Sequence, residues 1–286
     1  MAAGLGWHID GSALVGRRRT QHAGVRNLDL GIAGRKALVM ASSSGLGFAC
    51  AIALAREGVQ VTLNSRNAER LAAAGQTLFE QTAQRCASVV ADITTSEGRD
   101  AVFEVVPAVD ILITNNAGPA PGDLSQWDRD AWISAFDHNM IPQALFIRHY
   151  VPGMRERRFG RIVNITSAMV KSPRPHMALS SAARTALTAF SKALSLEVAK
   201  DNVTLNNLLP ERIDTPRQSF MAERMMAAQS ISLDEARRRI AETIAARRMG
   251  EPAEFADACV YLCAAQSGFV SGQNLQVDGG SYPGLL

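Results

Sequence analysis

Apolar positions along this chain follow two alternating rhythms. Short continuous runs, suited to strands buried on both faces, fall at residues 36–40, 59–63, 88–91, 111–114, 161–165, 203–208 and 274–277. Between them lie stretches with the three-to-four-residue spacing of amphipathic helices, at 46–56, 68–82, 131–155, 180–199 and 254–263. Gly58 follows the first helix as a stop signal, and Pro252 stands at the opening of the last. Strands separated by helices need crossover connections. The alternation therefore predicts an α/β fold, a doubly wound parallel sheet with helices on both faces, in a single domain.

The rhythm fails in two places. Residues 1–32 are Gly-rich, carry Arg17, Arg18 and Arg19, and sustain no period. They read as a flexible N-terminal extension to a folded unit at 33–286. Between 214 and 250 a helical excursion interrupts the alternation, and Ser232-Leu233-Asp234-Glu235 forms a capping box for its second helix. A helical lid over a substrate site is the expectation. Met221, Met225 and Met226 either line an adaptable pocket there or serve as helix–helix contacts.

Composition narrows the function classes. With 47% hydrophobic and 20% charged residues the chain can bury a large core. The net charge of +3 and the shortness of the arginine run argue against a nucleic-acid partner. No apolar run approaches the ~20 residues of a membrane span, and no secretory apolar core stands at the start. Cys50, Cys86, Cys259 and Cys263 lack zinc-type spacing and read as small hydrophobes, so no metal site is expected. A cytoplasmic location follows.

The first apolar run leads through Ala41-Ser42-Ser43-Ser44-Gly45-Leu46-Gly47 straight into a helix. Little side-chain bulk and a helix N-terminus suit a pyrophosphate, so the turn predicts a dinucleotide site of Rossmann type. The second run ends in Asn64-Ser65-Arg66, with no acid to hold a ribose diol. Arg66 offers a planar, permanently charged fork and Ser65 a hydroxyl, which favours a 2′-phosphate and hence NADP(H).

From about Gly34 to Gly280 the chain resembles the short-chain dehydrogenase/reductase family, in the branch similar to 3-oxoacyl-carrier-protein reductases. Gly45-Leu46-Gly47 ends the family's glycine motif, Asp92-Ile93 falls where the family contacts adenine, and Asn115-Asn116-Ala117-Gly118 matches its Asn-Asn-Ala-Gly. Asn139 takes the position that supports a proton relay, and Ser167 that of the catalytic serine. Pro210, Ile213 and Thr215 fit the segment around the nicotinamide, and Ser271-Gly272 with Val277-Asp278-Gly279-Gly280 the usual C-terminus. The resemblance implies association as a homodimer or homotetramer through the two long helices.

Three positions depart from the family pattern. Met40-Ala41 replaces Thr-Gly at the start of the glycine turn, a change tolerated if Ala41 keeps a negative φ. Glu211 replaces the glycine after Pro210. The family's Tyr-x-x-x-Lys, thirteen and seventeen residues after its serine, becomes Ser180 and Arg184. None of Tyr150, Tyr261 and Tyr282 lies in that segment. A serine hydroxyl is a much weaker acid than a phenol, and Arg184 can hold the nicotinamide ribose but not readily release a proton. The expected function is hydride transfer from NADPH to a carbonyl or conjugated enone. Ser167 would bind the substrate oxygen, and Ser180 or a water held by Asn139 would replace the phenol, with Lys171 or His176 assisting. The alternative is an NADP-binding sensor or partner subunit that has lost catalysis.

Overall fold

Strand pairing follows the apolar runs. The computed structural model describes residues 28–285. Their elements, in chain order, are β1 (Lys36–Val39), α1 (Gly45–Arg56), β2 (Gln60–Ser65), α2 (Ala68–Thr82), β3 (Ala87–Val90), α3 (Ser96–Val105), β4 (Ile111–Thr114), α4 (Arg129–Asn139), α5 (Ile141–Glu156), β5 (Gly160–Ile165), α6 (Ala178–Val198), β6 (Val203–Pro210), α7 (Pro216–Gln229), α8 (Leu233–Glu242), α9 (Pro252–Cys263) and β7 (Asn274–Val277). Seven parallel strands lie in the order β3-β2-β1-β4-β5-β6-β7. The order reverses between β1 and β4, which opens a crevice at their carboxyl ends.

Each strand feeds two cores, because successive side chains point to opposite faces. Ala37, Val39, Ile111, Ile113, Val163 and Ile165 join Cys50, Leu54, Phe255, Cys259 and Cys263 on the α1/α9 side. Leu38, Leu112, Ile162 and Leu205 join Phe146, Ile147, Tyr150 and Met154 of α5 on the other. The three cysteines at 50, 259 and 263 are buried as small hydrophobes, and Cys86 is half-buried. Among the described residues no His, Cys, Asp or Glu cluster could hold a metal, and no helix is long and apolar enough to cross a membrane.

Several boundaries differ from expectation. Ile32 is fully buried and Leu30 packs beside it, while the Leu30 carbonyl accepts from Ala265 N at 2.9 Å. The folded unit therefore starts a few residues before 33; the remainder of the expected extension, 1–27, lies outside the described residues. The helix expected over 131–155 is two helices, broken at Met140. Pro142 is the cause, since its ring and missing N–H deny His138 an ordinary helical bond. The freed His138 carbonyl instead accepts from Asn116 Nδ2 and Gln143 Nε2, both at 3.0 Å. Helix α3 was not expected. Thr95 caps it by accepting from Gly98 N at 3.0 Å.

The excursion is the helix pair α7–α8, with its own small core of Ala222, Ala236 and Ile240. Met225 and Met226 pack into that core, so only Met221 of the three methionines faces the cleft. The capping box is half made. Ser232 Oγ accepts from Glu235 N at 3.1 Å, but the Glu235 carboxylate is taken by Arg238 and Arg239. Arg237 reaches Asp214 at 2.6 Å, tying α8 to the loop after β6.

Candidate cofactor and substrate cleft

A cleft of about 530 Å³ opens at the carboxyl ends of the strands. The glycine turn forms one wall. Ser43, Ser44, Gly45 and Leu46 line it, and Ser44, the N-cap of α1, makes no side-chain capping bond, so the first N–H groups of the helix stay available. Two expected members of this set act differently. Ser42 is fully buried, its hydroxyl donating to Val39 O at 2.8 Å and accepting from Asn64 N at 3.0 Å, so it braces the turn rather than facing the cleft. Gly47 lies below the surface, where a Cβ would come within 2.8 Å of Ala41 O and 2.9 Å of Asn115 Nδ2. Ala41 has φ +46°, contrary to the negative value its tolerance required. The turn keeps its shape against the residue's preference, a strain of roughly 1–2 kcal/mol.

The end of β2 supplies Ser65 and Arg66. Ser65 Oγ shares a hydrogen bond with Ser43 Oγ at 3.0 Å, joining the two loops. Arg66 is 70% exposed and 3.9 Å from Asp92, with Arg70 on the same lining. Asp92 accepts from Thr94 N at 3.0 Å and Thr94 Oγ1 at 2.7 Å, which with Arg66 holds its carboxyl below the usual range. Ile93 lies beside it in the wall.

Asn116, Ala117 and Gly118 cross the middle of the cleft. Asn139 does not line it. Its Nδ2 donates to Ala117 O at 3.2 Å, while its Oδ1 is buried with no partner. A Cβ on Gly118 would lie 3.3 Å from Arg184 Nη2, 3.5 Å from Ser180 Oγ and 4.0 Å from Asn139 Oδ1. Glycine thus leaves a small polar cradle where three groups converge. Arg184 Nε donates to Ser180 Oγ at 3.3 Å, and its Nη1 to Ile165 O at 2.8 Å and Thr166 O at 3.0 Å. Burial lowers its pKa to about 10, with Arg217 adding repulsion, so it stays protonated at neutral pH. Ser167 lines the same wall, its Oγ accepting from Met169 N at 3.2 Å.

None of the three tyrosines lines the cleft. Tyr150 donates to Val106 O at 2.7 Å within the core, and burial raises its pKa. Of the loop candidates, His176 lines the cleft, whereas Lys171 lies over the Tyr282 ring, 5.6 Å from its centroid. Pro210, Ile213 and Thr215 line the far wall together with Glu211, which pairs with Arg174. Sequence reasoning missed Arg70, Arg174, Arg212 and Arg217, all part of the lining. Arg70 and Arg217 stand in the first turns of α2 and α7 and Arg174 and Arg212 in loops; single arginines of this kind carry no period, and only the fold brings them together.

The chain has extensive likenesses. A family model described as enoyl-(acyl carrier protein) reductase matches residues 40–282. The NADPH-dependent reductase BacG of Bacillus subtilis (strain 168) is 29% identical over 256 residues, covering 88% of this chain and 99% of the relative. Dehydrogenase/reductase SDR family member 4 of Bos taurus is 32% identical over 254 residues, 87% of this chain and 88% of the relative. Among solved structures, L-sorbose reductase from Gluconobacter frateurii, complexed with NADPH and L-sorbose, superposes with a TM-score of 0.85 at 30% identity, covering 90% of this chain and 100% of that one. Fold, cleft and relatives converge: the chain belongs to the enoyl-(acyl carrier protein) reductase family of short-chain dehydrogenase/reductases, a family of oxidoreductases.

Proposed function

We propose that the protein is an NADP(H)-dependent reductase acting on the carbonyl or conjugated enone of a small, partly apolar substrate, with Ser180 and Arg184 in place of a phenol and an amine. The cluster of Ser180, Arg184 and the orphaned Asn139 Oδ1 around Gly118 carries the reading. The dinucleotide fits the residues present: a bare helix N-terminus beside Gly45, an exposed Arg66 at the end of β2, and a cradle at Gly118 that any Cβ would fill.

Bound NADPH supplies the hydride. Ser43, Ser44, Gly45 and Leu46 would meet the pyrophosphate, Ser65 and Arg66 the 2′-phosphate, and Asp92 and Ile93 the adenine. Asn116, Ala117, Gly118, Arg184, Pro210, Ile213 and Thr215 would hold the nicotinamide half. Ser167 donates to the substrate oxygen. The Arg184 guanidinium, fixed by two backbone carbonyls, stabilises the negative charge that develops there. Ser180 Oγ, or a water between it and Asn139 Oδ1, delivers the proton. A conjugated enone suits this set well, because an enolate spreads its charge and needs a strong acid less than a localised alkoxide does. Residues 214–250 act as the lid. A cytoplasmic location and pairing of copies through α4, α5 and α6 belong to the same reading, with Ile133, Ile141 and Leu196 exposed on those helices.

The test is a fluorescence titration with NADPH and NADH, followed by NADPH oxidation with a panel of ketones and enones. Tighter binding of NADPH and turnover of any of them supports the proposal, with enones ahead of simple ketones. In that case Ser180→Ala lowers turnover by about a hundredfold or more, the range of general acid catalysis. Tight NADPH binding with no turnover moves the weight to an NADP-binding sensor.

A further inference from the structure

The substrate wall holds a cation with no hydrogen-bond acceptor of its own. Arg212 lies two residues beyond Pro210 with φ +58°, and its backbone is pinned there by Gly250 N donating to its carbonyl at 3.1 Å. Its side chain is only 18% exposed, and Nε is sealed from solvent without a hydrogen-bond partner. The nearest opposite charge, Glu211 Oε1, stands 3.8 Å from Nε, beyond hydrogen-bond reach. Glu211 is itself engaged by a hydrogen bond from Arg174. Two guanidiniums and one carboxylate therefore face this part of the cleft, an excess of one positive charge in a half-buried place.

A buried cation with one long ion pair and no hydrogen-bond acceptor is costly, as is a non-glycine residue in the left-handed region. Burial and the neighbouring Arg174 lower the Arg212 pKa, the expected response to such a position. The cost of the charge is offset if a ligand anion completes the set. We propose that Arg212, with Arg174 beside it, binds a carboxylate on the substrate, so that the protein reduces an oxo acid rather than a neutral ketone or enone. A planar guanidinium fork matches two carboxylate oxygens, and one negative charge balances the excess. Met169, Met177 and Met221 line the same cleft and suit an apolar body between the acid and the reacting group. Glu211 sets the selectivity, occupying Arg174 and repelling a dianion such as a phosphate monoester.

This inference rests on the cleft being the reductase site, so its test reads binding separately from turnover. The protein saturated with NADP⁺ is titrated by calorimetry with a graded series of saturated and α,β-unsaturated oxo acids, each beside its methyl ester and a phosphate monoester of similar length. The same compounds are then offered with NADPH. The expected result is an acid bound about tenfold or more tightly than its ester, the gain of one charge-assisted pair. Arg212→Met should reduce that preference to within about twofold, Arg212→Lys should retain part of it, and Glu211→Gln should tighten the acid. Equal affinity for acid and ester, preference for the phosphate ester, absence of binding by every compound, or preference unchanged in Arg212→Met would each overturn the proposal. Acid binding that depends on Arg212 without any turnover would uphold the anion site and sink only the reductase reading.

Discussion

At the scale of single residues the cleft departs from local preference where an environment over-determines it. Ala41 holds φ +46° because β1 must turn at once into α1, and its carbonyl is gripped by Asn115 Nδ2 at 3.3 Å. Ala41→Gly removes a left-handed strain of roughly 1–2 kcal/mol, against a chain-entropy cost of about 0.4–1 kcal/mol in the unfolded state. The balance favours glycine, and denaturant unfolding should show a gain of up to about 1.5 kcal/mol. A loss of stability would mean that the turn fits alanine. Arg66 makes the opposite case, an exposed side chain held only by Asp92 at 3.9 Å. If its role is the 2′-phosphate, Arg66→Ala weakens NADPH by about tenfold and leaves NADH nearly unchanged in a fluorescence titration. An equal loss for both nucleotides would count against that role.

Elements were legible in the sequence where burial imposed a period. β4 and β5 are buried at every position, and each reads as an apolar run apart from Thr114, Arg161 and Asn164. Helix α3 was not legible because it buries only Val102 and carries Gly98 in its first turn. That glycine is required, since a Cβ would collide with the Asp92 carbonyl, so the same residue hides the helix and makes room for the loop of Asp92. The break between α4 and α5 was written in Pro142, and the apolar spacing on either side masked it. Ser42 looked like a phosphate ligand because residue type says nothing of which way a hydroxyl turns. Arg161 is the clearest tertiary override. Inside β5 it is 1% exposed and donates to Ala264 O, Gly160 O, Asn202 O, Asn202 Oδ1 and Ala265 O, with its guanidinium 4.4 Å from the Phe159 ring centroid. These bonds tie the end of α9 and the segment before β6 to the strand. Arg161→Met keeps much of the bulk but strands several buried acceptors, each costing about 1–3 kcal/mol if left unmet. Partial relaxation makes a total near 3 kcal/mol the expected loss, seen as a fall in Tm of roughly 6–12 °C. A fall of less than about 2 °C would show that the ends of α9 and β6 are held by packing alone.

The whole molecule carries a net charge of only +3, yet its cleft gathers more than that. Arg66, Arg70, Arg174, Arg184, Arg212 and Arg217 line it against Asp92 and Glu211, six guanidiniums to two carboxylates, an excess of four positive charges. The rest of the chain is therefore close to neutral or slightly acidic, and the field is concentrated where the strands end. Low-dielectric walls focus such a field and draw an anion in by diffusion, an effect that salt screens over about 8–10 Å. NADPH carries several negative charges, so its association rate should fall steeply as ionic strength rises, by about tenfold from low salt to about 0.5 M. Its dissociation rate should change much less, because the short contacts of the bound state are only weakly screened. Stopped-flow binding at graded salt separates the two rates. NADH lacks the 2′-phosphate and should show a shallower dependence in the same experiment. A salt-insensitive association rate would mean that the cleft's arginines act only after encounter, as fixed donors, and that their clustering does not guide the nucleotide in.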